Sequence, residues 1–275
     1  MFKLIAIDLD GTLLDDKKRI PQENIKCLDD LINKGYEVVI ATGRMYSSAK
    51  GLASGIHESL TILANNGNIV RKSDNDELIF AKYLERDDSF NIISLGKQLE
   101  LHPIIHVNYY DEGIDMVIEE KGFDAESPYF YNNKNRLRIL PKDDIMDIGN
   151  ILAIIYPGQM KKLEHFYNQL NKSYPDRFSN HILENISIAE GFYEIMNRGG
   201  NKWRSLLEYA SMKNIKPKEI VAIGDDNNDV EMILNAGLGI AMKNGSKLVK
   251  EASDLVTKYD NNKAGLAYEL SKILD

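Results

Sequence analysis

Two acids stand two residues apart where an apolar run stops, in Leu4-Ile5-Ala6-Ile7-Asp8-Leu9-Asp10-Gly11-Thr12-Leu13. A carboxylate is disfavoured at the end of a buried strand unless it is paired or has work to do there. In a parallel sheet, the C-terminal strand edge is where ligands bind. Asp8 and Asp10, with Gly11 allowing a tight turn, offer a hard-cation site beside a nucleophile. Three further segments carry compatible groups: Thr42-Gly43-Arg44, Lys202 after Gly199-Gly200-Asn201, and Gly224-Asp225-Asp226-Asn227-Asn228-Asp229. Together they hold what phosphate-ester chemistry needs. Nucleophile and ester are both anionic, and a divalent cation bridging Asp8, the phosphate and Asp225 would offset their repulsion. Magnesium, a hard ion that takes oxygen ligands, suits that place. The hydroxyl and backbone N–H groups of Thr42 and Gly43 can hold phosphate oxygens, and Lys202 can act as a point-charge clamp. Asp10 can protonate a leaving alcohol and then accept a proton from water.

Taken singly, each signal has an ordinary explanation: an acidic turn, a strand-end turn, a solvated helix lysine, a surface or calcium loop. Their placement on the elements argues otherwise. Residues 3–8 read as a buried strand. Pro21 opens a helical pattern with Ile25, Leu28, Leu31 and Ile32 on one face, and Gly35 is a C-terminal stop. Residues 36–41 form the next strand, a helix follows from Ser47, and residues 61–63 form a third strand that ends at Asn65-Asn66-Gly67. Strand and helix in alternation predict a parallel sheet. Residues 83–188 break the pattern and read as an α+β insertion. It has a helix over 90–99, a strand pair over 104–109 and 115–118, a strand over 151–156 and a helix over 161–170. From about 189 the alternation resumes, with helices over 202–212, 227–236, 247–252 and 264–274 and strands over 220–223 and 238–241. The expected fold is a doubly wound parallel-sheet α/β core, residues 1–82 and 189–275, split by an inserted α+β cap domain, residues 83–188. All four segments then fall at strand ends or helix starts, in one crevice.

The 275 residues are 43% hydrophobic, ample for a filled core, and carry a net charge of −8. No basic patch exists of the kind nucleic acid requires. The single Cys27 permits no internal disulfide and fits a reducing compartment. No apolar run approaches the ~20 residues of a membrane span, and residues 2–7 are too short for a signal peptide. A cytoplasmic protein that binds neither membrane nor nucleic acid, monomeric or weakly self-associating, is expected. The five histidines are scattered without zinc-ligand spacing. Tyr109, Tyr110, Tyr129, Phe130 and Tyr131 could line a substrate pocket or form the core of the inserted domain. Asp15-Asp16-Lys17-Lys18-Arg19 reads as a solvated loop, and Asn65-Asn66-Gly67 as the rim of the crevice.

The four segments resemble the motifs of the haloacid dehalogenase superfamily of aspartate-nucleophile phosphatases. More narrowly, they resemble the Cof-type (subfamily IIB) sugar-phosphate phosphatases, in which a large cap lies between the second and third motifs. The resemblance implies that Asp8 is the nucleophile, forming an aspartyl-phosphate, and a metal ligand. It implies that Asp10 is the general acid/base with its backbone carbonyl on the metal, and that Asp225 is the third protein ligand to magnesium. Leu9, Thr42, Gly43, Lys202 and Asn228 would hold phosphate, and Asp229 would support the metal site. Trp203 stands where relatives often have glycine. The implied reaction is hydrolysis of small phosphorylated metabolites, sugar phosphates or phosphorylated cofactors. A phosphotransferase such as a phosphomutase on the same scaffold, and a non-catalytic phosphometabolite sensor, are the competing readings.

Overall fold

A computed structural model describes residues 1–123, 130, 133–141, 144–186 and 189–274. The chain divides into two compact units, residues 1–80 with 201–275, and residues 81–200.

The first unit is built on an eight-stranded sheet in the order β14-β13-β12-β1-β2-β3-β4-β5. Its strands are β1 (Leu4–Ile7), β2 (Glu37–Ala41), β3 (Thr61–Ala64), β4 (Ile69–Lys72), β5 (Leu78–Ala81), β12 (Ile220–Gly224), β13 (Leu238–Ala241) and β14 (Leu255–Val256). From β14 to β3 the pairs are all parallel, and β4 turns back antiparallel on β3. The central strand β1 is buried at every position, as expected for a strand covered on both faces. Its neighbours in register are Ile5 with Val38 and Val221, and Ile7 with Ile40 and Ile223. Helices α1 (Gln22–Asn33), α2 (Tyr46–Ala53), α5 (Lys202–Met212), α6 (Val230–Asn235), α7 (Lys247–Ala252) and α8 (Gly265–Leu274) connect or flank these strands. Gly35 ends α1 as anticipated: at φ +94° it returns an N–H to Ile32 O, while Tyr36 N–H reaches Leu31 O. Trp203 is buried in the core beside Leu4, Val39, Leu206 and Ala222, so the large ring at this position is spent on packing.

Among the described residues, the second unit holds a six-stranded sheet in the order β10-β11-β9-β6-β7-β8. It is formed by β6 (Ile104–Tyr109), β7 (Ile114–Glu119), β8 (Leu137–Leu140), β9 (Ile151–Gly158), β10 (Phe178–Ile186) and β11 (Ala189–Asn197), with helices α3 (Arg86–Gln98) and α4 (Met160–Ser173). Leu163, Phe166 and Leu170 of α4 lie on one helical face and pack in one core with Ile154, Tyr156 and Tyr193. The Phe166 ring stands edge-on to Tyr156 and Tyr193 at 4.9 and 5.2 Å. Ala189–Asn197 pairs antiparallel with both β10 and β9. The chain therefore returns to the first unit at Asn201, later than the resumption near 189 expected from the sequence. Apolar alternation marks a strand but does not say which sheet it joins. Of the aromatic cluster, Phe130 is buried against Phe123, Tyr109 packs on the core of this unit, and Tyr110 lies under the Arg136 guanidinium. Tyr129 and Tyr131 lie outside the described residues. Among the described residues, no helix is long and apolar enough to cross a membrane.

Candidate active site

Asp8 continues β1 by one residue, its N–H donating to Ile223 O at 3.0 Å. The chain then turns sharply, with the N–H groups of Leu13 and Leu14 both returning to Leu9 O. Two residues of this turn shape the acid that approaches from β12. Gly11 sits at φ +77°, and a Cβ there would stand 2.2 Å from Asp225 Oδ2. Thr12, fully buried, donates its hydroxyl to Asp225 Oδ1 at 2.9 Å. The glycine leaves room for the carboxylate and the threonine holds it there.

At the end of β12 the same division of labour recurs. A Cβ on Gly224 would come within 2.4 Å of the Asp229 carboxyl carbon. That buried carboxylate accepts through Oδ2 from the N–H groups of Asp225 (3.0 Å) and Asp226 (3.1 Å). Through Oδ1 it accepts from Lys202 Nζ at 2.7 Å. Lys202 opens α5, whose N-cap Asn201 accepts from the N–H groups of Trp203 and Arg204. Its ammonium also reaches Asp8 Oδ1 at 2.7 Å and is sealed from solvent. Asp8, Asp225 and Asp229 bring carboxylate oxygens within 4.8 Å of one another. Asp226 is exposed and caps the short turn that follows, accepting from Asn227 N–H at 2.7 Å.

The electrostatics follow from this crowding. Burial pushes the Asp8 carboxyl well up, against the pull of Lys202. Burial also raises Asp225 to about 6, with Thr12 opposing and Asp229 and Asp226 adding to the rise. Burial alone would lower the Lys202 ammonium, but Asp229 and Asp8 outweigh it and hold it above the ordinary lysine value. Three carboxylates thus face one ammonium. A set of all-oxygen donors with an excess of negative charge fits a hard divalent cation.

Asp10 does not join that cluster through its side chain. Its carboxylate is gripped by Arg44, Nε to Oδ2 at 2.5 Å and Nη2 to Oδ1 at 2.7 Å, and by Lys18 Nζ at 2.6 Å. Burial would raise this carboxyl, but Arg44 first and Lys18 next bring it down to about 2. Lys18, read from the sequence as part of a solvated loop, is a partner of Asp10. Its loop is folded back by Asp15, whose Oδ1 accepts from the N–H groups of Lys17 and Arg19. Nothing in the sequence pattern gives a role to Thr12, Lys18 or the side chain of Arg44. Asp15 with basic neighbours hints at a turn, but no spacing identifies the residue that the turn aims at Asp10.

At the end of β2, Thr42 is buried and its hydroxyl accepts from Arg44 N–H at 3.1 Å. The turn Asn65-Asn66-Gly67 lies directly against this segment. Asn66 N–H donates to Thr42 O and Asn65 N–H to Arg44 O, and a Cβ on Gly43 would stand 3.2 Å from Asn66 Oδ1. Asn228 Nδ2 donates to the same Asn66 Oδ1 at 3.1 Å. Thr42, Gly43, Asn66 and Asn228 therefore form one connected polar surface, and Asp8, Lys202, Asp225 and Asp229 another, on the same strand edge. The side chain of Leu9 is wholly buried, so only its backbone could meet a ligand. His102 pairs with Glu119 and His181 with Glu194, all in the second unit.

A family model for haloacid dehalogenase-like hydrolases matches residues 5–270. The 5-amino-6-(5-phospho-D-ribitylamino)uracil phosphatase YcsE of Bacillus subtilis is 29% identical over 255 residues, covering 93% of this chain and 89% of that protein. The phosphatase YwpJ of the same organism is 25% identical over 296 residues, covering 99% and 100%. A crystal structure of a haloacid dehalogenase-like hydrolase from Bacteroides thetaiotaomicron superposes over the whole of both chains with a TM-score of 0.82 at 26% identity.

Proposed function

The chain belongs to the haloacid dehalogenase-like hydrolases and is a phosphatase, and from that premise we propose that it hydrolyses a small phosphorylated metabolite, a sugar phosphate or phosphorylated cofactor, with magnesium and through an aspartyl-phosphate on Asp8. The observation that carries this reading is the sealed Lys202 ammonium between Asp8 and Asp229, with Asp225 in the same cluster of carboxylates. We assign the choice among substrates to the inserted unit.

Asp8 and Asp225, with the backbone carbonyl of Asp10, would hold the magnesium, and Asp229 would support it. When bound, the cation supplies positive charge that offsets the repulsion between an anionic nucleophile and an anionic ester. Asp8 would be the nucleophile: it follows the C-terminal end of the central strand, and the Lys202 ammonium beside it opposes the rise that burial imposes on its carboxyl. Its carboxylate attacks phosphorus as the bond from phosphorus to the leaving oxygen breaks. Thr42, Gly43 and Asn228 hold the phosphate oxygens, together with Lys202 and the Leu9 backbone. Asp10 first gives a proton to the leaving alkoxide and later takes one from the water that attacks the aspartyl-phosphate, releasing inorganic phosphate and free Asp8. The grip of Arg44 and Lys18 keeps Asp10 ionised, which is the form that accepts a proton. To donate one, the carboxyl must first take it up free of those two cations.

The reading is tested by phosphate release from a panel of sugar phosphates and phosphorylated cofactors, with magnesium and with chelator. Magnesium-dependent release from some members is expected. Transfer of the phosphoryl group to a second sugar hydroxyl with no free phosphate would replace hydrolysis by phosphotransfer. Neither product from folded, metal-loaded protein would overturn the proposal.

A further inference from the structure

Asn66 is built into the site more firmly than a rim turn requires. Asn65, Asn66 and Gly67 follow one another in left-handed backbone, at φ 48°, 54° and 87°. Such a run is uncommon, and where it persists the surroundings over-determine it. Here the surroundings are visible. Asn66 N–H is held by Thr42 O at 2.9 Å and Asn65 N–H by Arg44 O at 2.8 Å, while buried Ser205 donates its hydroxyl to Gly67 O at 2.7 Å. Residue 67 must be glycine, because a Cβ would come within 2.8 Å of Ser205 Cβ and 2.9 Å of Asn201 O. The side chain so placed is buried, yet its oxygen accepts from the amide of the exposed Asn228 at 3.1 Å.

A side-chain amide can present either oxygen or nitrogen by half a rotation, whereas an ionised phosphate oxygen only accepts. An exposed asparagine left to itself would present both. With Asn66 Oδ1 turned to Asn228 as its acceptor, a flip of the Asn228 amide alone would set oxygen against oxygen. Asn66 lies between Asn228 and the Thr42-Gly43 segment, so the nitrogen is turned toward the side where the proposed phosphate contacts converge. One Nδ2 hydrogen is used by Asn66, and the other can be given to a ligand. We infer that Asn66 is a positioning residue of the phosphate site, orienting the Asn228 amide as a donor. The inference rests on the reading of Asn228 as a phosphate contact.

The test is a double-mutant cycle with Asn66→Gly and Asn228→Ala. Glycine adopts the backbone of residue 66 without strain, so Asn66→Gly removes the side chain and keeps the turn. The readouts are calorimetric binding of inorganic phosphate to the magnesium-loaded protein, KM and kcat for p-nitrophenyl phosphate, and the melting temperature. Loss of a hydrogen bond to a charged ligand should weaken phosphate binding by ~10-fold or more in Asn228→Ala, and loss of its orientation by roughly 3–10-fold in Asn66→Gly. In the Asn228→Ala background, Asn66→Gly should then change binding by less than about 2-fold, because the two act on one contact. KM should follow phosphate affinity, and the melting temperature of Asn66→Gly should match that of the parent chain. Parental phosphate affinity in Asn66→Gly, or an equal loss in both backgrounds, overturns the inference. Phosphate binding indifferent to Asn228→Ala would instead withdraw the phosphate contact itself and the inference with it, and calorimetry reports that outcome without any turnover.

Discussion

Replacing Lys202 by methionine keeps most of the side chain's length and removes only the ammonium, and the cost should be large. That ammonium is sealed from solvent, 2.7 Å from Asp8 Oδ1 and 2.7 Å from Asp229 Oδ1. At an effective dielectric of about 20, each contact is a gross attraction of ~6 kcal/mol. Most of it is cancelled by the cost of taking three charges out of water. What remains when one member of such a group is deleted is typically ~3–5 kcal/mol, because the carboxylates are left buried and unpaired. The loss has a pH signature. Burial already pushes the Asp8 carboxyl well above its ordinary 3.8, and without Lys202 it should rise further. A carboxyl whose folded pKa is raised stabilises the fold least above that pKa, and the penalty fades as pH falls and the group takes up its proton. The gap between parent and variant should therefore be widest near pH 8 and narrow toward pH 5. Urea unfolding in chelator reads this directly, with fluorescence of Trp203, the single tryptophan, as the probe of the core beside the site. A Lys202→Met protein within ~0.5 kcal/mol of the parent at pH 8, the range of an ordinary surface change, would refute the reasoning.

Other expectations are briefer. Asp8→Asn should abolish turnover, since an amide cannot serve as this nucleophile; full activity in that variant would remove the aspartyl-phosphate. Asp10→Asn should lower kcat by roughly 10²-fold or more, the scale of general acid–base catalysis, while leaving magnesium binding by calorimetry largely intact. Asp225, raised to about 6 from an ordinary 3.8, costs the metal-free fold stability as pH rises through that window. Asp225→Asn should thus stabilise the metal-free protein at pH 8 by ~1–2 kcal/mol, after discounting for partial exposure, and should give no gain near pH 4. Gly11→Ala combines a left-handed φ with a Cβ 2.2 Å from Asp225 Oδ2. It should cost ~2 kcal/mol or more in urea unfolding, and turnover should fall with it.

Much of the fold is legible in the chain because the signals are local. Short apolar runs within residues 4–7, 37–41, 61–64 and 220–224 stop at an acid, a Thr-Gly turn, an asparagine pair or a Gly-Asp turn, and a strand buried on both faces has to be written that way. Gly35 and Pro21 mark the ends of α1 for equally local reasons. Less legible were β10 and β11. Their pairing partners are set by long-range register, and Ala189–Asn197 carries a strand pattern that any sheet could accept. The candidate site divides along the same line. Asp8, Asp10, Thr42, Gly43, Lys202, Asp225, Asn228 and Asp229 stand out because their types and spacing at strand ends match one chemistry.

The chain, taken one segment at a time, supplies an inventory: which residue types occur, in what order, and at which ends of which elements. Which partner each of these residues takes is settled by the packing of remote segments. Asp8 and Asp229 share an ammonium while Asp10, two residues from Asp8, turns to Arg44 and Lys18. Thr12 holds Asp225, and Asn66 meets Asn228 across 162 positions of chain. A side chain's direction and its partner's identity depend on distances between segments remote in sequence. Periodicity and spacing describe one segment at a time, so such partners appear only when the sheet brings their strand ends together.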